Sequence, residues 1–118
     1  MSIKIKRIYE PPAKADGYRV LIDRLWPRGV KKDNAHIDKW LKAIAPSSAL
    51  RTWIHGDKGN WDEFELRYLD ELKNSEGLQE LEALMKEYHT ITFLYAAKDE
   101  QHNHALVLKK LVEVLREK

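Results

Sequence analysis

The chain contains no cysteine, which excludes disulfides, thiolate metal sites and covalent chemistry through a cysteine nucleophile. No apolar run approaches the ~20 residues that a membrane helix needs. The N-terminus has no apolar segment of the secretory kind, so the cytoplasm is the expected location. Glycine is sparse, five in 118 residues, and none forms a Walker or dinucleotide-type phosphate loop. The GxSxG nucleophile elbow is missing too, and Ser47 and Ser48 after Pro46 suit helix caps better than catalysis. Without repeats, low-complexity tracts or linkers, residues 1–118 read as one domain, long enough to bury a core. No cofactor motif is present and no cofactor is expected.

The histidines do not fill the gap. His102 and His104 lie two apart, His36, His55 and His89 are scattered, and none are paired at the i, i+4 helical spacing of metalloprotease motifs. No metal is expected.

What the chain does have is charge, unevenly placed. Hydrophobic residues make up 43% and charged residues 34%, with a net charge of +2, a balance typical of a globular protein and too mild to announce a nucleic-acid binder. Residues 1–32 carry nine Lys/Arg against three acids, an excess of six positive charges. Residues 57–87 carry four against ten, an excess of six negative charges. A basic face near the N-terminus and an acidic helical flank follow.

Periodicity sets out the elements. Ile3 to Ile8 alternates with lysines and reads as an edge or half-buried strand. Glu10 to Gly17, with its prolines and Asp16-Gly17, is a turn region. Tyr18 to Asp23 is a second strand, apolar enough to be buried on both faces. Ile37, Trp40, Leu41 and Ile44 predict a helix over about 37–45. Ser47 caps a short helix with Leu50, Trp53 and Ile54, and Gly56 follows it. Asn60 and Glu63 resemble a capping box opening a helix through Trp61, Phe64, Tyr68 and Leu72. Another helix spans about 78–88. Thr90 to Ala96 is the clearest strand, and a closing helix carries Leu108, Leu111, Val112 and Leu115. The expected fold is a small α/β domain: a mainly parallel sheet of about three to four strands flanked by helices.

In such sheets, ligands bind beyond the carboxyl ends of the strands. Two loops leave such ends. The first is Asp23-Arg24-Leu25-Trp26-Pro27-Arg28-Gly29, dense in functional groups, and the second is Ala97 to Asn103, which enters a helix. If the two strands are parallel neighbours, Arg24, Arg28 and Lys98 converge with backbone N–H groups at about His102 to His104. That combination favours phosphate, sulfate or carboxylate. Asp23 is the candidate acid/base or ligand-orienting residue, Trp26 a stacking surface, Arg28 a bidentate anion clamp, and Asn103 an amide donor or helix cap. Arg51 and His55 share a face on a short helix, Arg67 either reaches a ligand or pairs with Glu63 or Glu71, and Tyr95 places a hydroxyl at a strand end. Trp40, Trp53, Trp61, Phe64 and Tyr68 are core by default.

The run Arg19-Val20-Leu21-Ile22-Asp23-Arg24-Leu25-Trp26-Pro27-Arg28-Gly29 resembles the signature of the YeaO-like proteins of domain-of-unknown-function family 488. Ala45-Pro46-Ser47 with Leu50-Arg51 and Trp53, Phe64 with Arg67-Tyr68, and Leu94-Tyr95-Ala96-Ala97 with Asn103 and Ala105 extend the likeness over nearly the whole chain. The resemblance implies a small bacterial or archaeal cytoplasmic α/β protein with no established activity. Broader members are similar to a rhodanese-like layout and carry Cys-His-Arg near the final loop, where this chain has Asn103-His104. Two functions are therefore weighed. One is a small-molecule site for an anionic metabolite or nucleotide, enzymatic or not. The other, ranked lower, is a nucleic-acid or protein interaction module using Lys4, Lys6, Arg7, Lys14, Lys31 and Lys32.

Overall fold

The computed structural model describes residues 2–56 and 59–116. Its centre is one sheet of four parallel strands, β1 (Ser2–Arg7), β2 (Tyr18–Leu21), β3 (Lys39–Trp40) and β4 (Thr90–Tyr95), in the order β1-β4-β2-β3. Around it run α1 (Lys32–Ala35), α2 (Ser48–Ile54), α3 (Trp61–Lys73), α4 (Glu76–Glu87) and α5 (His104–Arg116). The expected parallel α/β sheet is present, with β1 at an edge and β2 and β4 side by side in its middle.

Strand alternation divides the core in two. Ile3, Val20, Ile22, Ile91 and Phe93 point to one face and join Leu50, Phe64, Tyr68, Leu81 and Leu108 from α2 to α5. Among the described residues the opposite face gathers Ile8, Leu21 and Leu94 with Trp26, Val30, Ile37, Trp40 and Ala96, and no residue of those four helices. The apolar run of β2 is thus buried on both sides, but the second side is closed by loops. The rest of that side is polar. Asp16, in a 3₁₀ turn at Lys14–Asp16, folds over it and receives Lys6 and the short, buried Arg19 contact, while Thr92 Oγ1 donates to the Asp16 backbone carbonyl at 2.7 Å. Gly17, at φ +66, sits so close that a Cβ there would lie 2.4 Å from the Thr90 carbonyl oxygen. Only glycine lets the lid approach the sheet this closely.

Three local expectations shift. The helix expected over 37–45 is replaced by the two-residue strand β3 and a 3₁₀ turn at Lys42–Ile44. Arg19 causes this: its guanidinium binds the Ala35 and His36 carbonyls, and its backbone carbonyl takes the Asp38 N–H, drawing the segment alongside β2. Leu41 and Ile44 are still buried, so the apolar spacing marks burial while the ladder decides the conformation. The fourth helix starts at Glu76, ahead of its expected first residue, because Ser75 caps it through the Gly77 N–H; Gly77 packs against the Ala43 backbone, where a Cβ would lie 2.7 Å from a carbonyl carbon. Asn60 does cap α3 through the Glu63 N–H at 2.9 Å. The Glu63 carboxylate turns away to Arg67.

The Asp16 lid generates a prediction. Burial alone would raise the Asp16 carboxyl, but hydrogen bonds from Lys6, the Ala13 N–H and Arg19 outweigh it and hold the group below its usual 3.8. A depressed carboxylate contributes stability above its unfolded value and loses it as pH falls through the folded one. Asp16→Asn leaves Arg19 buried without its anion and is expected to cost about 3 kcal/mol at pH 7. Urea denaturation of both forms should show this gap narrowing as pH drops below about 4; a gap independent of pH would refute the ionic role.

Candidate functional site

The carboxyl ends of β2 and β4 are joined by a side chain. After the Ile22 N–H donates to the Leu94 carbonyl at 3.1 Å, Asp23 Oδ2 accepts the Ala96 N–H at 2.9 Å. The Asp23 backbone carbonyl takes the Trp40 indole N–H at 2.7 Å. One residue thus ties together the exits of β2, β3 and β4. The two loops expected to meet do meet, on one cleft of about 820 Å³, within the range of small-molecule sites.

Its walls come from several parts of the chain. The first loop supplies Asp23, Arg24, Trp26 and Arg28, and the second supplies Lys98, Asp99, His102 and Asn103. Arg51 and His55 reach it from α2, and Trp61, Phe64 and His104 from the starts of α3 and α5. Tyr9 closes one side, with its hydroxyl donating to the Arg28 carbonyl at 2.9 Å. Four Arg/Lys side chains against two Asp leave the lining with a formal excess of two positive charges.

These groups divide by what already satisfies them. Arg24 donates Nε–H to the Pro46 carbonyl at 3.1 Å and reaches the Ala45 carbonyl, so its fork anchors the loop before α2. Asn103 is the cap of α5: its Oδ1 accepts the Leu106 N–H and its Nδ2 donates to the Asp99 carbonyl, both at 3.0 Å. Trp26 donates its indole N–H to Val30 at 2.7 Å and packs edge-on against Trp40. By contrast the side chains of Arg28, Arg51, His55 and Lys98 have no hydrogen bond, ion pair or ring contact among the described residues.

The backbone donors expected in the second loop are partly spent. Asp99 Oδ1 accepts the Gln101 and His102 N–H groups at 2.9 and 3.0 Å. Those bonds, with the His102 ring, hold the Asp99 carboxyl below its usual range, so a negative charge sits beside Lys98. The donors still free in this cleft are side chains more than the helix end.

Two expected site residues lie elsewhere. Arg67 faces a separate groove of about 480 Å³ between α2 and α3, paired with Glu63 and 4.1 Å from the Trp53 ring centre. Glu71 is taken by Ser47, whose N–H and hydroxyl donate to its two oxygens. Tyr95 is buried under the cleft, and burial, with the nearby charges of Glu100 and Glu10, pushes its hydroxyl above the usual tyrosine value. Several lining residues are not site candidates from the sequence, Trp61, Phe64 and His104 among them. Helical spacing places Trp61 and Phe64 in the core, and they serve both core and cleft. The sequence offers His104 as a metal ligand and a backbone donor, and the one signal for its side chain is its place just after the loop, at the first helical position.

The basic N-terminal face is half engaged internally. Lys4 donates to the Ala15 carbonyl, Lys6 pairs with Asp16, and Arg7 Nε–H donates to the Ala97 carbonyl. Lys14, Lys31 and Lys32 stay exposed, with the Lys32 ammonium 5.8 Å from the Trp26 ring centre. Among the described residues no three His, Cys, Asp or Glu cluster as metal ligands, and no helix is long and apolar enough to cross a membrane.

Comparison with known proteins gives consistent matches. The family model described as the inactive DUF488-N3 subclade matches residues 2–118. Uncharacterized protein YeaO of Escherichia coli (strain K12) is 44% identical over 108 residues, 92% of this chain and 94% of that protein. Uncharacterized proteins Mb3100c of Mycobacterium bovis and Rv3073c of Mycobacterium tuberculosis are each 39% identical over 110 residues, 93% of this chain and 92% of theirs. No solved structure matches.

The sorting of lining residues predicts contrasting variants. Asp23→Ala strips the acceptor from the Ala96 N–H and is expected to cost about 2 kcal/mol, the scale of a hydrogen bond to a charged group. Hydrogen exchange at the Ala96 amide should accelerate with it. Arg28→Ala, exposed and unpartnered, should stay within about 0.5 kcal/mol of wild type. Equal losses in the two variants would contradict the division.

Proposed function

We propose that this chain, which belongs to the DUF488 family through its inactive N3 subclade, binds an anionic small molecule in the cleft between the Asp23–Gly29 and Lys98–Asn103 loops. The observation that carries this reading is the set of unpartnered cations. Lys4, Lys6, Arg19 and Arg24 of the N-terminal half are tied to internal acceptors. Arg28, Arg51 and Lys98 are not, and all three open on the same concave surface. Cations left unpaired around an apolar floor of Trp61 and Phe64 favour a ligand with a phosphate, sulfate or carboxylate group and a ring or chain that covers the aromatics.

Binding without turnover is the simpler form of this function. With no cysteine in the chain, no thiolate is available at the loop after β4, where rhodanese-like chemistry would place one. The description of the subclade as inactive agrees. The internal use of Lys4, Lys6 and Arg7 leaves less of the N-terminal face for nucleic acid, so the cleft is the favoured site.

Thermal-shift and calorimetric titration with inorganic phosphate, AMP and short dicarboxylates tests the reading. At low ionic strength a member of this panel should stabilise the protein. Arg28→Ala and Lys98→Ala should each weaken that ligand by about tenfold, as loss of one charge-assisted hydrogen bond does. Arg67→Ala, in the other groove, should leave the affinity unchanged. Absence of any stabilising anion, or equal weakening by Arg67→Ala, would reject the site.

A further inference from the structure

Beneath the unpaired cations the cleft holds an arrangement that neither its charge nor its aromatic walls explain. His104 Nε2 lies 3.0 Å from the Ile22 carbonyl oxygen and 3.2 Å from Asp23 Oδ1. Both neighbours are acceptors. An unprotonated Nε2 would direct its lone pair at two oxygens, so the hydrogen of the neutral ring belongs on Nε2. It points to Ile22, which leaves Asp23 Oδ1 buried, beside the same nitrogen, and without a hydrogen-bond partner of its own. Asp23 Oδ2 is held by the Ala96 N–H, so the carboxylate does not rotate to relieve it. Tyr68 packs edge-on to the imidazole, with ring centres 6.1 Å apart, and fixes its plane.

The consequence lies at the other nitrogen. His104 lines the cleft, and its Nδ1 has no partner among the described residues and is not among the buried polar atoms left unsatisfied. With Nε2 protonated, neutral His104 presents a bare Nδ1 lone pair there. We infer that Asp23 and His104 form a carboxylate–imidazole pair in which Asp23 positions the ring and Nδ1 accepts a hydrogen bond from the bound ligand. Resting on the anion-site reading, this narrows the ligand class. It is an anion joined to a ring that carries an N–H or O–H donor, such as a nucleoside monophosphate with an exocyclic amine or a hydroxyaryl phosphate. The anionic end meets Arg28, Arg51 or Lys98, the ring covers Trp61 and Phe64, and the donor reaches Nδ1.

Two measurements separate this inference from the reading beneath it. Long-range ¹⁵N–¹H NMR of the free protein should show His104 with protonated Nε2 and unprotonated Nδ1. In Asp23→Asn, the carboxamide oxygen keeps the Ala96 N–H and turns its NH₂ towards Nε2, so part of the population should move to the Nδ1–H form. A His104 ring protonated on Nδ1 in the wild type, or a tautomer unmoved by Asp23→Asn, overturns the pair. Titration then uses matched probes: AMP against purine riboside 5′-monophosphate, and 4-hydroxyphenyl phosphate against phenyl phosphate. In at least one couple the donor-bearing member should bind about tenfold tighter. His104→Gln keeps a donor for the Ile22 carbonyl and has no counterpart of Nδ1, so it should erase that difference and spare the donor-free probe. Donor-free probes that bind as tightly as their partners, with Arg28→Ala still weakening both, would remove the His104 role and leave the anion site standing. Wild-type protein that binds none of the four rejects the ligand role of Nδ1, and if inorganic phosphate and the dicarboxylates fail as well the anion site falls with it.

Discussion

The arrangement depends on one carboxylate. Parallel neighbours in a sheet bring their carboxyl ends to the same edge, but loops leaving those ends are free to splay apart. Here Asp23 Oδ2 captures the Ala96 N–H and the Asp23 carbonyl captures the Trp40 indole, so the exits of β2, β3 and β4 are tied within one residue. A hydrogen bond to a charged acceptor is worth roughly twice a neutral one, and this one replaces a rung that the sheet itself does not extend to. Without it the cleft has no fixed width, and the cations on its two sides have no set distance.

The sheet imposes a second constraint, on its other face. With α2 to α5 all packed on one side, the opposite side has too few apolar partners to be closed by burial alone. A loop carrying Asp16 covers it instead, and the buried Arg19 and half-buried Lys6 make that lid ionic. Such clusters contribute less net stability than their contacts imply, because desolvation offsets most of the attraction. Their strength is in register. Arg19 also holds the Ala35 and His36 carbonyls, which sets the path into β3 and so places Trp40 under Asp23. The N-terminal excess of positive charge is in this sense mostly structural.

This explains what could be read from residues alone. The β2 and β4 strands and the helices with strong apolar stripes were legible, since burial on a regular element leaves a period in the sequence. The meeting of the two loops followed from parallel neighbours and was legible as well. The segment from Ile37 to Ala45 was not, because its apolar spacing suits a helix while a distant arginine draws it into a ladder. Arg24 and Asn103 looked like ligand groups, yet their partners are backbone carbonyls and amides that no side-chain pattern records. His104 was hidden for the converse reason: its neighbours Ile22 and Asp23 are far away in sequence, and one histidine at a helix start carries no spacing to interpret.

The division between satisfied and unsatisfied groups also bears on a subclade described as inactive. Asp23, Arg24 and Asn103 hold the carboxyl edge together, so the fold accounts for them whatever the cleft is used for. Arg28, Arg51 and Lys98 have no such internal task, and neither does the Nδ1 of His104. Cations gathered on a concave surface repel one another and are not retained there for stability. The residues that the fold does not need, and not the number of polar groups lining the cavity, are what mark this cleft as suited to a ligand.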